Sequence, residues 1–161
     1  MSEETARVHV DLPNYPFAAG ETFWAVHVGS DVFRLDNIPI FAYDLNLGDI
    51  VQALPDADGV LVIQGVVARG GHSTLRVFFA KAVTIEEAAA FVDSLRPLGV
   101  TCERENGRCF ALDVPPGSSV DAVRDALDVW ADEGRLDYET CDARVPGSFD
   151  DEPRSPFEEV K

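Results

Sequence analysis

Residues 70–100 read GGHSTLRVFFAKAVTIEEAAAFVDSLRPLGV, and the change of hydrophobic period inside this stretch decides the fold. Between Ser73 and Ala80 the period is two: Leu75, Val77 and Phe79 share one face of an extended strand, and His72, Thr74, Arg76 and Phe78 share the other. From Thr84 the period is helical. Glu87 stands three residues beyond Thr84, as a capping box requires, and Ile85, Ala88, Val92 and Leu95 make one apolar stripe that Pro97 and Gly99 end.

Toward the C-terminus, Val100 to Val114 reads as a hairpin turning at Glu105-Asn106-Gly107. A three-residue loop with Gly107 in the left-handed region puts Val100 and Cys102 on the core face with Phe110 and Leu112, and leaves Cys109 on the opposite face. A second helix follows Pro115-Pro116-Gly117, capped by Ser118 or Ser119, with Val120, Val123, Leu127 and Trp130 as its apolar stripe and Gly134 as its stop. Leu136 to Cys141 closes the unit as a strand. Toward the N-terminus only short strands occur. Val8, Val10 and Leu12 alternate with polar residues until Pro13, Asn14 and Pro16; Thr22 to Val28, Val32 to Leu35, Asp49 to Leu54 and Leu61 to Ala68 follow, separated by turns.

The expected fold class is therefore α+β: a small SH3-like β-barrel over residues 1–72, hiding its strand edges by closure, then a ferredoxin-like βαββαβ sandwich over 73–144 with both helices on one face of the sheet and the other face open. Residues 145–161 hold Pro146, Pro153 and Pro156 among acidic residues, the composition of a disordered acidic tail.

The chain has 161 residues, 46% of them hydrophobic, enough to bury a core. Its 29 acidic residues against 13 basic ones give a net charge of −16, which opposes any sequence-independent hold on a polyphosphate backbone and excludes nucleic acid as the expected partner. The acidity serves solubility on one reading; on the other it meets a basic protein partner, with complementarity acting chiefly on association rate. Met1 to Arg7 lacks the basic and apolar regions of a secretory signal, and no apolar run approaches the ~20 residues of a membrane span. Three cysteines, Cys102, Cys109 and Cys141, without a Cys-x-x-Cys spacing fit a reducing compartment, so the expected location is the cytoplasm, with no membrane partner. The sequence leaves the oligomeric state open.

Gly70-Gly71-His72-Ser73-Thr74-Leu75-Arg76 is the most suggestive segment for chemistry. Adjacent strand residues point to opposite faces, so His72 is not placed to activate Ser73, and no catalytic set is expected. His72, Thr74 and Arg76 share a face as a donor row for an anion or carboxylate, with Phe78 beside them; the plainer reading makes Gly70-Gly71 a junction and His72 a packed interface residue. Asp36, Asn37, Tyr43 and Asp49 lie in a dense loop that is either structural or the wall of a cleft beside His72. His9, His27 and His72 have no ligand spacing, so no metal is expected, and no phosphate-cradling glycine loop or other cofactor signature is present. An RNA-binding open face is opposed by Glu103, Asp137 and Glu139 beside Arg76 and Phe78.

Arg34-Leu35-Asp36-Asn37-Ile38-Pro39, the Leu47-to-Val51 hairpin and Gly71-His72-Ser73-Thr74-Leu75-Arg76 together resemble a bacterial family known only as a domain of unknown function, over most of residues 8–142. That resemblance implies no established activity. The C-terminal half is also similar to the acidic ferredoxin-like protein inhibitors of the ribonuclease regulator B type. The expected function is a small acidic cytoplasmic binding or regulatory protein, without catalysis, that contacts a protein partner. The alternative is a small-ligand-binding or hydrolytic enzyme with a cleft around His72 and Asp36.

Overall fold

The computed structural model of the chain describes residues 4–12 and 18–142. Five strands come first: β1 (Thr5–Asp11), β2 (Gly20–Gly29), β3 (Val32–Leu35), β4 (Ile50–Pro55) and β5 (Leu61–Ala68). They neighbour one another in chain order, antiparallel, and β5 meets β1 along two parallel pairs, Val8 with Leu61 and His9 with Val62. Inward-facing Val8, Val10, Phe23, Leu35, Val51 and Ile63 build the first core, as the period-two pattern requires.

The second half runs β6 (Ser73–Phe79), α1 (Ile85–Asp93), a 3-10 turn (Arg96–Leu98), β7 (Thr101–Asn106), β8 (Cys109–Val114), α2 (Val120–Asp132) and β9 (Leu136–Thr140). Its strands form one antiparallel sheet in the order β7-β8-β6-β9. Thr84 caps α1 with both halves of the capping box: its hydroxyl accepts from the Glu87 N–H at 3.0 Å and its own N–H donates to the Glu87 carboxylate at 3.1 Å. Ser119 caps α2 by accepting from the Ala122 N–H at 3.1 Å. Ala88 and Val92 of α1 and Val123 and Leu127 of α2 pack on Leu75, Val77, Phe79, Phe110 and Leu112, the second core. Each large apolar side chain fully buried there is worth about 1.5–3 kcal/mol relative to exposure. Ile85, expected in the α1 stripe, is instead exposed.

These observations overturn the expected fold class of α+β with an SH3-like β-barrel and a ferredoxin-like βαββαβ sandwich. The described residues are mostly β, 44% strand, with only two α-helices, in two sheets that are antiparallel apart from the two-pair β1/β5 contact. That thin seam stands where a tight barrel closure was expected. Nor is the second sheet an open-faced sandwich: Thr74, Arg76, Ala111 and Asp113, on the face away from the helices, are buried. Hydrophobic period identifies elements one at a time, and it carries no information about which second layer covers a face.

The hairpin also differs. Asn106 pairs with Cys109, so the turn is the two residues Gly107-Arg108, and the Asn106 side chain accepts from the Arg108 and Cys109 N–H groups at 2.8 and 3.1 Å. A bulge between Arg104 and Asn106 then sets Arg104 opposite Phe110 and Cys102 opposite Leu112, a register shifted by two residues from the one a three-residue loop gives, although Cys102 keeps the expected face. Cys102 is nevertheless exposed, because β7 is an end strand of its sheet. The expected stop at Pro13, Asn14 and Pro16 and the expected disordered tail at 145–161 lie outside the described residues.

Candidate functional site

The connection between β3 and β4, residues 36–49, is the layer that covers the second sheet. Ile38, Ala42, Tyr43 and Leu45 are buried along it, which anchors an otherwise irregular segment. Glu21 of β2 fixes its backbone: the carboxylate accepts from the N–H groups of Ile40, Phe41 and Ala42 at 2.7, 3.0 and 2.8 Å. Burial pushes the Glu21 carboxyl above its ordinary value, and the three N–H donors and Arg76 pull it only partly back.

Arg76 lies at the centre of this junction, 2% exposed. Its Nη1 donates to the Ala42 carbonyl at 3.2 Å, its Nε lies 3.3 Å from Glu139 Oε1, and its guanidinium carbon sits 4.6 Å from the centre of the Tyr43 ring. Tyr43 in turn donates its hydroxyl to the Glu139 carboxylate, 3.0 Å from either oxygen. Sheet register places Glu139 directly opposite Arg76. Burial lowers the Arg76 basicity, but Cys141, Glu139, Tyr43 and Glu21 around it more than compensate, so the guanidinium stays charged.

A polar rim surrounds that centre. Asp49, 1% exposed, accepts from the Asn46 and Gly70 N–H groups, each at 3.0 Å, and from Arg69 Nη1 at 3.3 Å. Arg69 also reaches the Asp44 carboxylate at 2.8 Å, and the Thr74 hydroxyl donates to Asn46 Oδ1 at 2.7 Å. Gly70 is required by contact: a Cβ there would lie 2.5 Å from the Gly48 carbonyl oxygen.

His72 completes the junction at its partly exposed end. Its Nδ1 lies 2.8 and 2.9 Å from the two oxygens of Asp113, and its ring faces the Gly48 backbone. Burial pushes the Asp113 carboxyl above its ordinary value, against the hydrogen bond and charge of His72. A raised folded value means that the folded chain takes up this proton at higher pH than the unfolded chain. Asp113 therefore adds stability in acid that is lost as pH rises through the raised value. The stability advantage of the native chain over Asp113→Asn is expected to be largest in acid, at and below the ordinary aspartate range, and to shrink as pH rises above it. Urea unfolding of both chains across that rise in pH checks this, and a difference independent of pH counts against it.

Of the residues singled out in the sequence, Tyr43, Asp49, His72, Thr74 and Arg76 meet at the junction. Asp36 and Asn37 do not join them. Asp36 is exposed, with its N–H donating to the Trp24 carbonyl, and Asn37 Oδ1 accepts from the Trp24 N–H at 2.6 Å. Phe78 sits at the exposed end of β6, opposite Cys109 and Asp137. Sequence reasoning set Glu139 beside Arg76 but missed Asp113 and Glu21 as junction partners. For Asp113 a signal exists, since pairing β6 with β8 sets it opposite Thr74; for Glu21 there is none.

Among the described residues no group of three or more His, Cys, Asp or Glu could hold a metal ion, and no helix is long and apolar enough to cross a membrane. A family profile, described as a domain of unknown function, DUF4265, matches residues 21–138. The chain belongs to this family. The DUF4265 match takes in Glu21, the 36–49 connection, β6 and Asp113, and ends one residue before Glu139. No curated protein matches the chain. A solved structure titled as the novel crystal structure of a hypothetical protein from Neisseria gonorrhoeae is similar with a TM-score of 0.70 at 15% identity, covering 88% of this chain and 97% of that one. At that identity the likeness is one of fold.

Proposed function

We propose that this chain is a small, non-enzymatic binding or regulatory protein of the bacterial cytoplasm that meets a basic protein partner through the outer face of α2. One observation carries the reading: Asp121, Asp125, Asp128 and Asp132 recur at helical spacing along α2, and all four are exposed. Arg124 alone interrupts them. Such a row complements a basic surface and accelerates encounter with it, and it keeps nucleic acid outside the proposed partners. The cysteines, all free thiols, agree with a reducing compartment. Residues 1–72 and 73–144 are the two proposed domains, each with a core of its own. The Arg34-to-Pro39 and Gly71-to-Arg76 motifs serve as a structural signature of the family, one tying down β2 and the other the junction. The similarity of the second half to acidic ribonuclease regulator B proteins belongs to the same proposal, as a regulator whose partner is a basic protein.

The test is affinity capture from native lysate with the wild type and with Asp121, Asp125 and Asp132 changed to Asn, leaving Asp128 to its bond with Tyr138. A basic protein is expected on the wild type at low salt, released at high salt and absent from the variant. A partner held equally by both chains, or indifferent to salt, overturns the reading.

A second reading, a small-ligand or hydrolytic site at His72, is favoured by the way Asp113 orients the imidazole. It is opposed by Asp36, whose backbone is tied to the Trp24 carbonyl and which does not join the junction, and by Asp49, whose oxygens are taken by Asn46, Gly70 and Arg69. Ester hydrolysis that disappears in His72→Gln would favour it over the first.

A further inference from the structure

Among the described residues no strand pairs with the outer side of β7, so none of them covers its backbone edge. Beside that edge, between α1 and β7, runs a groove of about 710 Å³. Its floor is apolar, with Val92, Val100 and Phe110, and its rim carries Cys102, Arg96 and Arg104. Arg96 is already paired with Asp93 at 2.6 Å, and Arg104 rests 5.1 Å above the Phe110 ring. The charged residues of the lining are thus two arginines and one aspartate, in a chain of net charge −16.

The charges differ between the two faces of β7. Cys102 and Arg104 point to the helix side, opposite Leu112 and Phe110, while Glu103 points to the other side, opposite Ala111. A second copy of the chain fits this edge poorly. Antiparallel self-pairing centred on Arg104 sets Arg104 against itself and Glu103 against Glu105, and centring on Glu103 sets that carboxylate against its own copy; centring on Cys102 opposes no like charges but pairs only the first half of the strand and leaves Glu105 and Asn106 beyond it. Like charges directly opposite destabilise a sheet.

We propose that the β7 edge receives an extended segment of a partner protein as an added strand. Its groove-side positions alternate apolar and acidic side chains, and its other face carries lysine or arginine against Glu103. Main-chain hydrogen bonds would supply affinity and the two side-chain rows the specificity. This surface is distinct from the α2 carboxylate row and stands without it.

The probe is a synthetic fluorescein-labelled peptide in which lysine alternates with valine and glutamate, alongside a scrambled peptide of the same composition. The alternating peptide is expected to raise anisotropy saturably and to slow iodoacetamide alkylation of Cys102, read by mass spectrometry, about tenfold at ten times its Kd. Arg104→Glu should weaken binding. Glu103→Lys together with Glu105→Lys should lose the lysine peptide and gain one with glutamate at those positions; both sites are exposed or partly exposed, so the fold tolerates the change. Equal binding of the scrambled peptide, no binding of either, or a dimeric chain whose Cys102 is already protected each overturns the proposal. None of these outcomes depends on whether the α2 row captures its partner.

Discussion

Arg76→Ala is expected to destabilise the chain by about 3–5 kcal/mol, because it leaves carboxylates buried without the cation that compensates them. Glu139 would lose the guanidinium that its carboxylate faces at 3.3 Å, and Glu21 would lose the nearby positive charge that offsets its burial. The volume left by the guanidinium adds a cavity cost between the two layers. For a domain of this size that corresponds to a drop of roughly 10 °C in melting temperature. Arg76→Met alone should be nearly as harmful, whereas Arg76→Met combined with Glu139→Leu should recover a large part of the loss, since an apolar pair removes the uncompensated charge. Thermal unfolding of the three variants checks the claim. If Arg76→Ala melts within about 2 °C of the wild type, the guanidinium is not what joins the layers.

This junction is also where sequence reading and structure part. Local signals were legible because local physics writes them: the Thr84-to-Glu87 box, the Ser119 cap and the alternation of Val8, Val10 and Leu12 each need only neighbours within a few residues. The row of His72, Thr74, Arg76 and Phe78 was legible for the same reason. Its covering was not. Tyr43 and Glu139 are 96 residues apart and His72 and Asp113 are 41 apart, and no period or cap specifies such a meeting. The only sequence-level hint was the conflict between a polar row on β6 and the need of a buried face for partners. That conflict is resolved by a segment that looked like an ordinary turn-rich loop. Asp36 and Asn37, which looked equally suited to a cleft, serve the Trp24 backbone instead, because their loop enters the junction only several residues later.

Asp49→Ala is expected to destabilise the chain by about 1–3 kcal/mol, by a different route. The carboxylate of Asp49 takes the N–H groups of Asn46 and Gly70, two backbone donors with no other acceptor at hand, and holds Arg69. Gly70 is exposed and Asn46 half-buried, so water takes over part of what these donors lose, and the total stays near that of a single buried donor left without a partner, about 1–3 kcal/mol. Asp49→Asn keeps one acceptor oxygen and replaces the other with a donor that faces an N–H, so it should fall between the wild type and the alanine variant. The two carboxylate variants differ from Arg76→Ala in where they loosen the chain. Amide hydrogen exchange should accelerate first at Asn46 and Gly70 in Asp49→Ala, while the β6/β9 pairing around Arg76 and Glu139 stays protected. In Arg76→Ala the order should reverse. The comparison asks more than melting temperatures can, because a junction held by one diffuse apolar contact would open everywhere at once in either variant, whereas two separate polar anchors open one at a time.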